Sequence, residues 1–352
     1  MLATETVGTI TGTGTRQGGW RRRGSQRRGF RYVDSRGRAV TDEDALERID
    51  SLSIPPAWKD VRISPRPGAK LQATGVDRAA RRQYLYHPEF RARQEQAKYD
   101  KLVRFAERLP DLRKAMSKHL DEEPLSPDWT AALAVRLVNE GWFRVGNERY
   151  ARSYRTFGIT TLRKSHVRVR GSRISFRFRA KHRVICRTVL VDAELADAIK
   201  ELLAIPGGSR LFRYRRDDEL FTLGARKLNE YIQEHMGEEF TAKDFRTWGG
   251  TLLAAIQLAE AEPAEGATEQ KRAIAEVMRA VGERLGNTPA VARSSYVSPA
   301  VVEQYLDGRT IDDFRPRHLR VVGARDLDLD PEEQALLSLL RSWRIRRARE
   351  AA

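Results

Sequence analysis

GNTPAVARSSY, Gly286 to Tyr296, is the stretch on which the reading of the larger part of this chain turns. Thr288 before Pro289 has the form of an N-cap followed by a first helical residue. A threonine hydroxyl accepts a freed backbone N–H there, and proline has no N–H to leave unpaired. The pattern predicts one or two helical turns over Ala290–Ser295 with Tyr296 near their end. Gly286 and Asn287 end the preceding helix, whose apolar stripe Ile274, Val277, Met278, Val281 and Leu285 begins after a cap expected at Thr268. From these residues alone Tyr296 is either a half-buried aromatic or a phenol presented for chemistry.

Upstream, TAKDFRTWGGTLLAAIQLAE (Thr241–Glu260) opens with a capping box, Thr241 and Asp244, and carries its core stripe on Leu252, Leu253 and Ile256. Lys243 and Arg246 are three residues apart and share a helical face. Thr222–Met236 reads as an amphipathic helix closed by Gly237. The acidic stretch Glu260–Glu269 reads as a flexible connection. Ser126, Pro127 and Asp128 start a helix that stacks Trp129, Leu133 and Leu137 and closes at Gly141, so that Arg144 leaves it on a short loop.

Between these helices, Val167–Val191 alternates with period two. Ile174, Phe176 and Phe178 face one way, Ser175, Arg177 and Arg179 the other, and the return strand carries Val184, Cys186, Thr188 and Leu190. Lys181 falls at the hairpin tip, where a lysine is most often simply solvated.

The first part of the chain differs in kind. Residues 1–28 are rich in Gly, Thr and Arg, and predict a mobile basic arm. Beyond it, short strands are expected at Phe30–Val33, Trp58–Ser64, Lys70–Thr74 and Gln83–Tyr86, with a helix at Asp42–Ile49. In GVDRAARRQYLYH (Gly75–His87), Arg81 and Arg82 run into Gln83, Tyr84 and Tyr86, and alternation puts both tyrosines on one face. They either pack on the sheet or meet a ligand beside guanidiniums suited to phosphate.

The whole chain of 352 residues has 65 Lys and Arg against 48 Asp and Glu, a net charge of +17, and 40% hydrophobic residues. That length and apolar content predict a globular protein of two domains, and the charge predicts a polyanionic partner, nucleic acid first. Cys186 is the single cysteine, which excludes an intrachain disulfide framework. The six histidines have no ligand spacing, no phosphate-binding loop is present, and no apolar run reaches a membrane span of about 20 residues. No metal, nucleotide or other cofactor is therefore expected, nor any membrane partner. A cytoplasmic, nucleoid-associated protein is.

Set in chain order, Arg144, Lys181, Lys243 with Arg246, Asn287 and Tyr296 resemble the active-site signature of the type IB DNA topoisomerases, in particular their small poxvirus-like and bacterial branch. The resemblance runs over residues 29–314 and includes Gln83-Tyr84-Leu85-Tyr86, KDFRTWG at Lys243–Gly249, and GNTP before the tyrosine. It implies an α+β protein: a β-rich N-terminal DNA-binding domain (29–91) and a larger, mainly helical catalytic domain (92–314) with a β-hairpin sheet, closing as a clamp around duplex DNA. The basic arm (1–28) and a basic tail (315–352) flank them. It implies a monomer that relaxes supercoils without ATP or an obligatory metal, through a 3'-phosphotyrosyl link to Tyr296. Arg144, Arg246 and Asn287 would stabilise the phosphate, Lys181 would protonate the leaving 5'-oxygen, and Lys243 would assist that transfer or hold a phosphate. Gln83, Tyr84, Tyr86, Arg81 and Arg82 would contact DNA. Asn287 departs from the family, which mostly has a histidine there; an amide hydrogen-bonds but does not titrate.

Two other readings fit parts of this pattern. A tyrosine recombinase shares the Arg, Lys, Arg, Tyr chemistry but usually has His-x-x-Arg where Lys243-x-x-Arg246 stands, and a helical rather than β-rich N-terminal domain. A non-enzymatic DNA-binding protein would use the same basic surfaces without forming a covalent adduct.

Overall fold

The computed structural model describes residues 19–261, 266–315 and 329–350. Two compact units meet between Lys98 and Tyr99. In the first, strands β1 (Trp20–Ser25), β2 (Gly29–Val33), β3 (Lys59–Ile63), β4 (Leu71–Val76) and β5 (Arg82–Tyr86) form one antiparallel sheet in the order β2-β1-β3-β4-β5. Helix α1 (Glu43–Ser51) is capped by Asp42, whose carboxylate accepts from Ala45 N at 2.8 Å. It adds Ile49 to a small core with Val61, Ile63 and Ala73. These elements stand near the expected strands; β3 and β5 alternate in burial, whereas β4 buries Gln72, Ala73, Thr74 and Gly75 in succession and so is covered on both faces.

Strand β1 corrects the expectation of a mobile arm through residue 28. Arg22 ties it down, donating to the carbonyls of Ile54, Pro55 and Trp58 at 3.3, 3.1 and 2.8 Å, and its guanidinium covers the Phe30 ring. An arginine-rich run becomes a strand here because its charge is spent on backbone acceptors of the neighbouring loop. The rest of that arm, residues 1–18, lies outside the described residues.

Helix α2 (Pro88–Leu120) carries the chain out of the first unit. The second unit holds α3 (Pro127–Gly141), α4 (Glu148–Tyr154), β6 (Val167–Arg170), β7 (Arg173–Arg179), β8 (Ile185–Val191) and α5 (Ala193–Ala204). There follow β9 (Arg213–Arg216), β10 (Glu219–Thr222), α6 (Ala225–Met236), α7 (Ala242–Glu260), α8 (Ala267–Leu285), α9 (Pro289–Ser295), α10 (Pro299–Leu306) and α11 (Pro331–Glu350). The three-stranded antiparallel sheet β6-β7-β8 buries Ile174, Phe176 and Phe178 on one face. Helix α7 runs through the core, with Phe245 and Trp248 against Phe105 of α2.

Local signals placed most boundaries. Thr241 and Asp244 form the expected capping box, and the Thr288 hydroxyl accepts from Val291 N at 3.3 Å. Helix α8 begins two residues earlier than its expected cap: Gly266, not Thr268, is the capping residue. Helix α6 starts at Ala225 after Gly224 rather than at Thr222, which pairs instead with Arg213 in the β9-β10 hairpin. Part of the connection expected at Glu260–Glu269, and residues 316–328 of the basic tail, lie outside the described residues. The end of that tail is no appendage: α11 buries Leu336, Leu339, Leu340 and Trp343 in the main core. Its Glu333 accepts two bonds from Arg113 at 2.7 and 2.9 Å and one from the Trp248 indole at 3.2 Å.

Candidate active site

Helix α8 ends at Gly286 with φ +62°, a left-handed residue that lets Asn287 N return to Gly282 O at 2.7 Å. The reversal turns the carbonyl of Gly286 and the Asn287 side chain towards Arg144 in the loop after α3, and the carbonyl of Leu285 towards α7. Helix α9 then delivers Tyr296 at its C-terminal end, where Tyr296 N bonds Ala292 O at 3.0 Å. From the other side α7 presses against the tyrosine. A methyl group on Gly250 would lie 3.0 Å from Tyr296 O, and the Thr251 hydroxyl sits 3.1 Å from the same oxygen.

Arg246 points from α7 into this space and is 5% exposed. Its Nη1 donates to Trp142 O at 2.6 Å and its Nη2 to Leu285 O at 2.8 Å, while its buried Nε has no partner. Of five N–H donors, two are spent on backbone carbonyls and another hydrogen-bonds the Tyr296 phenol, while the remainder are unspent. The guanidinium stands 5.0 Å from the Tyr296 ring centre. Burial, and then the like charge of Arg144, lower its pKa to about 10, so it is cationic at neutral pH.

Arg144 comes from the loop after α3. Its Nη2 donates to Gly286 O at 3.1 Å and to Asn287 Oδ1 at 2.7 Å. Burial draws its pKa down and the Tyr296 phenol partly restores it. Asn287 Nδ2 reaches Leu285 O at a long 3.4 Å, so the amide holds Arg144 through its oxygen and keeps a donor over.

These charges decide the state of the phenol. Burial by itself pushes the Tyr296 pKa up. The charge and hydrogen bonding of Arg246, then the charges of Arg144 and Lys243, outweigh it, and the phenol sits below its ordinary value. Among the described residues, the charges that lower it are those of Arg246, Arg144 and Lys243.

Four of the candidate residues are therefore brought together: Arg144, Arg246, Asn287 and Tyr296. Lys243 lies exposed on α7 and acts on the phenol through its charge. Lys181 is placed elsewhere, exposed at the β7-β8 tip and without contact to the cluster. In the first unit, Tyr84 and Tyr86 share an outward face at 49% and 40% exposure with ring centres 6.3 Å apart, so they do not pack down on the sheet. Arg81 and Gln83 both bind Asp77, at 2.8 Å each, which draws that carboxyl to about 2; Arg82 is exposed.

Some contributors were not singled out from the sequence. Trp142 adopts a left-handed conformation (φ +50°) that aims its carbonyl at Arg246. The space for its indole exists because position 249 is glycine: a methyl group there would lie 2.2 Å from Trp142 Cε2. Arg284 stands 5.2 Å over the Trp142 ring. Cys186 is near enough that burial raises its thiol pKa while Arg144, Arg284 and Arg246 oppose the rise. The available signal was the pair Gly249-Gly250 inside a helix, costly at roughly 1 kcal/mol each unless something approaches closely.

A basic chain that sets a tyrosine beside a buried and a half-buried arginine has the chemistry that DNA topoisomerases and tyrosine recombinases share, and comparison with known proteins selects the DNA topoisomerases. The family model for the eukaryotic DNA topoisomerase I catalytic core matches residues 87–312, and that for the bacterial DNA topoisomerase IB N-terminal domain matches residues 29–77. DNA topoisomerase 1B of Acanthamoeba polyphaga mimivirus is 34% identical over 284 residues, covering 78% of this chain and 84% of that protein. DNA topoisomerase 1B of vaccinia virus (strain Copenhagen) is 22% identical over 278 residues, covering 77% and 85%. The chain belongs to the type IB DNA topoisomerase family, enzymes that act on duplex DNA as isomerases. Among the described residues no helix is long and apolar enough to cross a membrane.

Proposed function

We propose that this protein relaxes supercoiled duplex DNA by joining one strand transiently to Tyr296. The phenol oxygen attacks a backbone phosphorus and its proton passes to water. The bond from phosphorus to the 5'-oxygen breaks, and that oxygen takes a proton from Lys181. A 3'-phosphotyrosyl diester and a free 5'-hydroxyl result. The free strand turns about its intact partner, and reversal of the same steps reseals the nick. One phosphodiester replaces another at each stage, so no ATP is consumed, and fixed cations in place of an obligatory metal meet the charge on the nonbridging oxygens.

The observation that carries this reading is the pair of guanidiniums, Arg246 and Arg144, facing the Tyr296 phenol. They serve twice. Before attack they favour the phenolate, and in the transition state their unspent donors lie ready for the nonbridging oxygens. Asn287 orients Arg144 and offers its spare N–H to the same phosphate. Lys243, on the face of α7 that holds Arg246, assists proton transfer or holds a neighbouring phosphate. Lys181 reaches the 5'-oxygen when DNA draws the exposed hairpin tip into a groove.

In this reading residues 29–91 and 92–314 act as the two halves of a clamp. Gln83, Tyr84, Tyr86, Arg81 and Arg82 meet the duplex from the first half, and the protein works as a monomer associated with the nucleoid. The test mixes it with supercoiled plasmid in chelator without nucleotide. Relaxation, and a protein–DNA adduct on a denaturing gel, are expected from the parent and neither from Tyr296→Phe. Intact supercoils at every dose, or an undiminished Tyr296→Phe, would refute it.

A further inference from the structure

The outer face of the sheet β6-β7-β8 has a feature that the chemistry at Tyr296 does not use. Arg168 and Arg170 of β6, Arg173, Arg177 and Arg179 of β7, and Arg187 of β8 all point away from the core. The register sets Arg170 opposite Arg173 and Arg177 opposite Arg187. Like charges directly across a sheet are destabilising. Among the described residues none of these side chains has an ion pair or a hydrogen bond to offset that cost. Five of them, with Arg155, line a groove of about 730 Å³ in which no acidic residue takes part. A fold that keeps unpaired arginines this close is built to be neutralised from outside, and a row of phosphates does so.

The groove has a direction. Lys181 lies two residues beyond Arg179, at the hairpin tip that β7 runs into. From Arg179 back to Arg173 the strand covers about 20 Å, the rise of roughly six phosphates of one DNA strand measured along the helix axis. We infer that this face carries the backbone of the duplex on the 5'-hydroxyl side of the break, the part that turns, and that its arginines limit how many turns escape per cleavage event. The inference rests on the proposed function, because it uses Lys181 at the 5'-oxygen to orient the groove.

The experiment compares the parent with the triple variant Arg170→Gln/Arg173→Gln/Arg177→Gln and with its lysine counterpart, all in a Tyr296→Phe background, so that binding is read without chemistry. The duplexes are built around a cleavage site mapped with the active parent and carry a long or a short arm on the 5'-hydroxyl side. Loss of three phosphate contacts lowers the salt slope by about 2.7, so between 50 and 200 mM salt the parent should lose about 40-fold more affinity than the glutamine variant, on the long-arm duplex only. The lysine variant should keep the parent's slope, since the number of charges is unchanged. With Tyr296 restored, the glutamine variant should cleave short-arm duplex at the parent's rate and release more turns per event in single-molecule relaxation. Equal affinity loss on both duplexes, no loss at all, or loss tied to the opposite arm would each overturn the inference while adduct formation by the parent leaves the proposed function standing. A parent that forms no adduct removes both.

Discussion

Gly249→Ala tests whether the backbone around Arg246 sets the rate. The added methyl would lie 2.2 Å from Cε2, 2.3 Å from Nε1 and 2.6 Å from Cδ2 of Trp142, inside any real carbon contact, so the indole must move. Its residue also supplies the carbonyl that holds Arg246 Nη1 at 2.6 Å. Two effects on stability oppose each other. Alanine is better than glycine in a helix by about 1 kcal/mol, whereas overpacking costs about 1–3 kcal/mol. The net loss is about 0–2 kcal/mol, a fall of no more than about 8 °C in Tm. The rate should suffer more. A hydrogen bond to a charged group contributes about 1.5–3 kcal/mol, and losing its positioning of Arg246 slows cleavage about 10- to 150-fold. Single-turnover adduct formation on duplex DNA, with a thermal melt of the same samples, separates the two. Adding Trp142→Ala removes the clash and should recover part of the rate, a coupling that a double-mutant cycle reads directly. A folded Gly249→Ala protein that cleaves at the parent's rate would refute the link from Trp142 to Arg246.

Further outcomes follow from the same geometry. Asn287→Ala removes the acceptor that holds Arg144 at 2.7 Å and should slow cleavage about tenfold or more, while Asn287→His should be tolerated; a fully active alanine variant would deny the amide its role. In the proposed reaction the phenol attacks as its anion, and Arg246 is the strongest influence holding its pKa down. Arg246→Gln should therefore move the rising limb of the cleavage pH profile to higher pH as well as lower its plateau, and an unmoved limb would count against arginine activation. Glu333→Ala takes the carboxylate away from the part-buried Arg113 and the Trp248 indole, and should cost up to about 3–5 kcal/mol in urea unfolding; a loss under about 1 kcal/mol would show that this carboxylate does not help to hold α11 on the core.

The parts legible in the sequence are those governed by neighbours a few residues apart. The capping box at Thr241 and Asp244, the Thr288-Pro289 helix start and the alternation of Ile174, Phe176 and Phe178 depend on backbone groups within one turn or one strand, and they stand where expected. The order Arg144, Lys181, Lys243-x-x-Arg246, Asn287, Tyr296 suggested a chemistry for a similar reason, since a phosphate needs donors of particular shape wherever the chain brings them from, and folding brings all but Lys181 near the phenol.

Other features had no mark in the residues that make them. The carbonyls of Trp142, Leu285 and Gly286 hold both arginines, and a carbonyl is the same at every position, so only the approach of α7 to the turn after α8 selects those three. Arg22 looked like part of an arm because its partners, the carbonyls of Ile54, Pro55 and Trp58, are more than thirty residues away. Helix α11 read as part of a basic tail because arginines crowd its C-terminal half, while its burial depends on what it packs against. Side-chain type and local spacing name the reagents at Tyr296. Which of them touch, how many donors each has left, and how far the phenol's proton is loosened are set by distances between segments remote in the chain, and only folding fixes those.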